Sequence, residues 1–444
     1  MTEPRDLTLY GAAELLRRGR LTSEALVRSC LERIERREGL LHAWAELHPE
    51  HALSAARACD EDVRRHRWQG PLHGLPLGIK DVIHVRGMHT QAGTSAYPTH
   101  LAEADAACVA ALRESGAILL GKTVTTAFAY RDPSPARNPW DPARSPGGSS
   151  AGSAVAVADG MCLGALGTQT GGSTLRPASY TGIVGFKSGL GKISTEGLVP
   201  VSWQLDHVGI MTRDVQDAAL LWNLLRLDRP LDWQSTRDKL PPALLPRAPR
   251  RVWRMRGYFE EEADSEMLAA LDAVCRLLAE RGVTVEERAL PAEFDGVAVT
   301  QATIMGAEAA TWHQGRYLAN PAAYPEGIGE LVSEGLEIRG VDYIRAQRHR
   351  SALIRAMRAA FAETDCAIMP SAPGPAPAPD TTGSARFNSP WSLCGFPSLS
   401  LPAGLSAGNL PLGVQLVGGP EGEDGLLAAA GWLERLLEFE RRPD

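Results

Sequence analysis

The sequence predicts an α/β protein. At 444 residues the chain can bury a large core, as one big α/β domain or as two domains. Hydrophobic content of 44% and charged content of 22% are ordinary for a folded globular chain. Segments with helical spacing of apolar residues alternate with short apolar runs bounded by glycine and proline along most of its length.

From the N-terminus, Leu7 to about His66 reads as a helical cover layer. Leu15, Leu16, Leu26, Leu31 and Ile34 recur at helical spacing, and Thr22 or Ser23 is the candidate N-cap of the second helix. Gly70 to Val85 is punctuated by proline and glycine, and Leu77 to Ile79 reads as a short buried strand with Lys80 at its end. Asp105 to Ser115 fits a helix and Ala117 to Gly121 a strand. Residues 116–123 (GAILLGKT) match the phosphate-loop pattern letter for letter. In a phosphate loop a strand precedes the glycines, whereas here the intervening residues are themselves the strand, which argues against nucleotide binding.

Further on, Val208 to Leu225 reads as a turn into an amphipathic helix and Arg226 to Pro249 as a surface excursion. Arg251 to Met255, Ser265 to Arg281 and Val283 to Glu287 form a strand, helix and strand. Ala307 to Gln314 and Val341 to Glu363 are helix candidates, and the basic face of the second reads as solvated. Pro370 to Pro379 is proline-dense and reads as an extended loop. Strands at Ser398 to Leu401 and Leu412 to Val417 and a helix from Asp424 to about Leu437 close the chain.

Several function classes are disfavoured by composition. A formal net charge of -7 argues against a nucleic-acid surface. Seven dispersed cysteines without CxxC spacing read as reduced, buried thiols, not as a disulfide frame or zinc site. The first twenty residues carry acids and scattered charges unlike a signal peptide, and no apolar run approaches the roughly 18 residues needed to span a membrane. A cytoplasmic location is the expectation.

The chemistry gathers in Ser145 to Lys187, where Gly147-Gly148-Ser149-Ser150 and Gly171-Gly172-Ser173 flank a segment suited to a helix and then a strand. Glycines ahead of a serine let bare backbone N–H groups approach a ligand. From Thr170 onward such groups can converge as an oxyanion hole. A serine needs a base to become a nucleophile, yet His73, His84 and His207, the histidines that might fold back, lack a triad context. A lysine desolvated toward neutrality can serve instead. Burial statistics favour Lys80 as a surface residue, whereas the two serine loops favour it as a buried amine, with Ser149 relaying the proton to Lys80 from Ser173. The Gly148–Ser149 bond is a place where a cis non-proline peptide can be tolerated.

These residues resemble the amidase signature family. The likeness rests on HGLPLGIKDVI at 73–83, GAILLGKT at 116–123, SPGGSSAGSA at 145–154, GTQTGGS at 167–173, LDHVGIMTRDVQDAALL at 205–221 and LPLGVQLVG at 410–418. The resemblance implies Ser173 as nucleophile, Ser149 as the cis-serine, Lys80 as base and oxyanion donors on Thr170, Gly171, Gly172 and Ser173. It implies a single large domain around a twisted, mixed, mostly parallel sheet with helices on both faces. Residues 1–70 would be the helical cover, 71–225 the catalytic core, 226–395 the variable substrate-facing region and 396–444 the closing strands and helix. It implies attack on a small-molecule amide through an acyl-enzyme, with no metal or cofactor, and leaves a homodimer open.

Two departures bear on substrate. Gln169 stands where the family usually has an acid, and Leu175 where it has an arginine, while Arg176 follows one position later. That arrangement resembles malonamidases, in which the corresponding arginine grips a substrate carboxylate, a task suited to a planar guanidinium. Bracing of the loop through carbonyls or a buried acid is the equal alternative. Arg176, Gln169 and Ser150 are therefore the candidate substrate-binding residues. Ser188 and Ile210 replace usual prolines away from the triad. Trp312, Tyr317, Phe387 and Trp391 are the candidate aromatic wall or else ordinary core. A malonamate-like acid amide, an aryl amide, a urea derivative and a short peptide amide all stay open. The alternatives are a glutaminase-type subunit of a tRNA-dependent amidotransferase and an inactive binding protein of the same fold.

Overall fold

The protein is described as a computed structural model covering residues 3–228 and 239–443. The N-terminal cover is built from α1 (Leu9–Arg17), α2 (Ser23–Leu41) and α3 (Pro49–Arg64). Thr8 and Thr22 cap the first two, accepting from the backbone N–H of Gly11 and Ala25. Leu26, Cys30 and Ile34 form the buried face of α2. The cover is not purely helical as expected. Between α2 and α3 runs β1 (Trp44–Leu47), which pairs antiparallel with β5 (Ile118–Thr123). Four residues carry too little periodicity to announce a strand, so the pairing partner decides.

The chain then lays down β2 (Pro76–Lys80), the small β3 (His89–Thr90) and β4 (His100–Leu101), α4 (Ala107–Glu114), β5, α5 (Ala151–Ala158), β6 (Gly164–Gln169), α6 (Leu175–Thr181), β7 (Val184–Lys187), β8 (His207–Thr212) and α7 (Val215–Leu225). The segment read as a turn before α7 is thus a strand, β8. Residues 229–238 of the expected excursion lie outside the described residues, and 239–249 form neither helix nor strand. Next come β9 (Arg251–Arg254), α8 (Ser265–Glu280), β10 (Thr284–Glu287), α9 (Val297–Ala319), α10 (Glu326–Leu336), α11 (Gly340–Phe361), β11 (Cys366–Pro370), α12 (Ser389–Cys394), β12 (Ser398–Leu405), β13 (Pro411–Val417) and α13 (Glu423–Leu437). Helix α9 extends well beyond the expected 307–314. Its first turns carry Val297, Val299, Thr300 and Thr303, β-branched residues that weaken the helical signal. Helix α10 was not anticipated, and its Ile328, Leu331 and Val332 are buried.

Eleven strands form one sheet in the order β1-β5-β2-β6-β8-β7-β12-β13-β11-β9-β10. This is a single α/β domain with helices on both faces of a mixed sheet. The expectation of a mostly parallel sheet is corrected among the described residues. Parallel pairing is confined to β5-β2-β6 and β11-β9-β10; the other neighbours run antiparallel. Strands β12 and β13 are joined by a short turn at Ser406 to Asn409, and such connections make antiparallel neighbours. The segment 226–395 contributes β9, β10 and β11 to this sheet.

Candidate active site

The parallel trio β5-β2-β6 is buried along its whole length, the usual condition of parallel strands covered on both faces. Lys80 ends β2 opposite Thr123 of β5, and Ile79 stands opposite Leu166 of β6. The carboxyl ends of adjacent parallel strands therefore carry Lys80 and, just beyond β6, the loop 170–173, in the place where open α/β sheets bind ligands. Lys80 is fully buried. Its Nζ donates to Ser149 Oγ at 2.7 Å and to Thr168 Oγ1 at 2.6 Å. Burial pushes the amine well below its ordinary range, with the carboxylate of Asp206 as the opposing influence.

Ser149 precedes α5 across a cis Gly148–Ser149 peptide bond. Gly147, with φ of 81°, occupies the left-handed region, and a Cβ there would lie 2.9 Å from Pro177 Cα, so glycine is required twice over. The carbonyl of Gly148 accepts from Arg176 Nη2 at 2.7 Å. Arg176 also donates from Nη1 to the carbonyl of Gly383 at 2.7 Å and from Nη2 to Thr382 Oγ1 at 3.3 Å. The side chain is buried, and burial lowers its pKa to about 10. Of the two uses expected for Arg176, its guanidinium contacts match the brace through carbonyls.

Gln169 and Ser150, the other two candidates against substrate, likewise hydrogen-bond within the protein. Gln169 Oε1 accepts from the backbone N–H of Thr174 at 3.0 Å and Leu175 at 3.1 Å, and Nε2 donates to Ser392 Oγ at 3.2 Å. The amide thus closes the start of α6, as an N-cap would. Ser150 Oγ accepts from Thr168 N and donates to Thr168 O, each at 3.1 Å. Both side chains are fully buried.

Every carbonyl of the loop from Gln169 to Ser173 has a donor. His207 Nδ1 donates to Gln169 O at 3.3 Å, Gln301 Nε2 to Thr170 O at 2.9 Å and Ser392 Oγ to Gly171 O at 2.9 Å. Arg176 N donates to Gly172 O at 3.0 Å, and Ser150 N to Ser173 O at 3.2 Å. The N–H groups of Thr170, Gly171, Gly172 and Ser173 have no hydrogen-bond partner among the described residues. In a trans peptide the carbonyl and the next N–H point to opposite sides. Pinning the carbonyls therefore turns the N–H groups the other way, leaving a set of preformed donors. Close packing fixes the turn as well: a Cβ on Gly172 would lie 2.5 Å from Asn388 Oδ1.

Asp206 anchors the same loop. Its Oδ1 accepts from Thr170 Oγ1 at 2.5 Å, and Oδ2 accepts from the N–H of Val201 at 2.9 Å and Ser202 at 3.1 Å. Burial pushes its carboxyl up to about 6 against these bonds. Neutral His207, held far below its usual range by burial, contacts only carbonyls through Nδ1, which therefore carries the proton. Thr168, Asp206, Gln301 and Ser392 were not singled out from sequence. Asp206 lies within a quoted motif, whereas no local pattern marks Gln301 or Ser392.

The expected aromatic wall divides in two. Phe387 and Trp391 are fully buried in a core cluster with Trp253, Phe259 and Phe294, so they are core. Trp312 and Tyr317 belong to a second group. Trp312 stacks on Tyr97 with ring centroids 6.2 Å apart and lies edge-on to Phe128, while Tyr317 meets Tyr324. Arg316 sits over the Trp312 ring at 4.6 Å. Phe128 follows Thr126, whose N–H donates to Ser149 O at 3.3 Å, so this group adjoins the serine loop.

Elsewhere, Lys122 of the phosphate-loop lookalike is buried and donates to Asp81 Oδ1 at 3.0 Å, His89 O at 3.0 Å and Thr90 Oγ1 at 3.1 Å. Ile118 to Leu120, between its glycines, belong to β5, and the ammonium is occupied. All seven cysteines are free and buried. Among the described residues no group of three His, Cys, Asp or Glu side chains gathers as metal ligands, and no helix is long and apolar enough to cross a membrane.

The family model described as amidase matches residues 25–427. An amidase of Pseudomonas putida is 33% identical over 98% of this chain and 97% of its own length. A glutamyl-tRNA(Gln) amidotransferase subunit from a Geobacter species is also 33% identical, over 98% of each chain. The crystal structure of an amidase, 35% identical, superposes with a TM-score of 0.88 over 97% of this chain and all of its own.

Proposed function

The chain belongs to the amidase family of hydrolases acting on carbon–nitrogen bonds, and from that premise we propose that it cleaves a small amide through an acyl-enzyme on Ser173. The observation carrying this reading is the buried contact of Lys80 Nζ with Ser149 Oγ at 2.7 Å. Neutral Lys80 takes a proton through Ser149 as Ser173 Oγ adds to the amide carbonyl. The oxygen becomes an oxyanion facing the N–H groups of Thr170, Gly171, Gly172 and Ser173. Collapse breaks the C–N bond, and Ser149 returns the proton to the leaving ammonia or amine. Water, deprotonated through the same relay, then splits the ester to release the carboxylic acid and restore Ser173.

Arg176 acts in this reading as a brace of the Gly148 and Gly383 carbonyls. A substrate carboxylate is then not required, and the half-buried Trp312 and Tyr97, packed on Phe128 near the serine loop, favour an aryl-bearing or other apolar amide. The equal likeness to an amidotransferase component favours a second reading, a glutaminase that works only with partner proteins.

Ammonia release by the purified chain from carboxylated, aliphatic and aryl amides and from glutamine tests both. Turnover of aryl or aliphatic amides by wild type, lost in Ser173→Ala, supports the amidase. Silence on every amide, with glutamine hydrolysed only after partner proteins are supplied, supports the second reading.

A further inference from the structure

We propose that Gln301 and Ser392 are positioning residues that hold the peptide planes of the oxyanion loop, an inference resting on the assignment of Ser173 as nucleophile. Gln301 Nε2 holds Thr170 O and so aims the N–H of Gly171; Ser392 Oγ holds Gly171 O and so aims the N–H of Gly172. Both side chains are buried, and they come from α9 and α12, 131 and 221 residues from the atoms they hold.

At the two central peptides of the loop the clamps add to the hold of Asp206 on Thr170 and of Arg176 N on Gly172 O. A Cβ on Gly171 would meet only ordinary contact, its nearest neighbour being Ala385 Cβ at 3.6 Å, so no clash fixes the peptide there. Glycines at 171 and 172 let the intervening peptide rotate with little steric cost. A rotated plane would present a carbonyl oxygen where the oxyanion forms, replacing an attraction by a repulsion. The hydroxyl of Ser392 is directed by a further partner. Gln169 Nε2 donates to its oxygen, which leaves its own hydrogen for Gly171 O.

Gln301 carries a second mark of function. Among the described residues no hydrogen-bond partner reaches its buried Oε1, and the one bond the amide makes is its donation to Thr170 O. An apolar residue would fill that space without an orphaned acceptor. The donor toward Thr170 O is what the amide supplies.

The test compares wild type, Gln301→Met, Gln301→Glu, Ser392→Ala and Ser173→Ala as purified full-length chains. The probe is a fluorophosphonate, which phosphonylates an activated serine with its P–O oxygen seated in the oxyanion hole. Labelling rates are followed alongside kcat and KM on whichever amide turns over, with melting temperatures as control. Gln301→Met and Ser392→Ala are expected to label Ser173 about tenfold or more slowly, with kcat falling in parallel and KM nearly unchanged. In Gln301→Glu an ionised carboxylate cannot donate to Thr170 O, whereas a protonated one can. Its labelling rate relative to Gln301→Met should therefore rise as pH falls, a signature that a packing role would not produce. Wild-type labelling rates in both Gln301→Met and Ser392→Ala overturn the proposal. So does a loss that follows melting temperature alone, with Gln301→Glu and Gln301→Met in constant ratio across pH. If Ser173→Ala labels like wild type, the nucleophile assignment fails, and the clamp falls with it.

Discussion

Lys80 Nζ lies 2.7 Å from Ser149 Oγ with both residues fully buried. Among the described residues no carboxylate touches the amine, and its hydrogen-bond partners are two hydroxyls. Desolvation is therefore the main influence on its charge, and it favours the neutral form that can accept a proton.

Both activity and stability should depend on pH through this amine. The rate kcat/KM should rise with pH as Lys80 loses its proton, and Lys80→Arg, which stays charged, should lose about 10²–10⁴-fold in kcat while remaining folded. For stability, the folded pKa lies below the unfolded value of 10.5. Between the two the unfolded chain binds the extra proton, so stability falls as pH is lowered through that window. Melting of wild type against Lys80→Met checks the sign. The difference should favour the Met variant at neutral pH and move toward wild type as pH approaches 10.5.

Arg176→Ala leaves the carbonyls of Gly148 and Gly383 without their donors. A loss of about 1–3 kcal/mol per orphaned buried group is expected, seen as a lower melting temperature. Activity should fall by a similar factor on carboxylated and neutral amides. A loss confined to carboxylated amides would make the arginine a substrate clamp instead.

Lys122→Met should leave Asp81 buried without its ammonium and cost about 3–5 kcal/mol. Adding Asp81→Asn should recover much of that loss, because the uncompensated charge is then gone. Titration of wild type with ATP should show no binding at this segment. Saturable binding abolished by Lys122→Met would contradict the structural role.

The sequence alone determined the α/β class, most strands and helices, the two glycine-serine loops and the lysine at a strand end. Those features are local: periodicity, turn chemistry and short motifs are written within a few residues of one another. What the tertiary structure decided was mostly partnership between distant segments. Strand β1 exists because β5 is beside it, and the sheet is more antiparallel than expected because β6, β8, β7, β12 and β13, mostly strands far apart in sequence, pair antiparallel across its middle. Lys80 became a buried amine only when β2 was covered on both faces. Gln169 and Ser150, candidates for substrate contact in sequence, hydrogen-bond to Ser392 and Thr168, while Phe387 and Trp391 went to the core. Gln301, Ser392 and Asp206 reach the loop 170–173 from other elements. A hydrogen bond across 131 or 221 residues leaves no spacing in the chain that could reveal it.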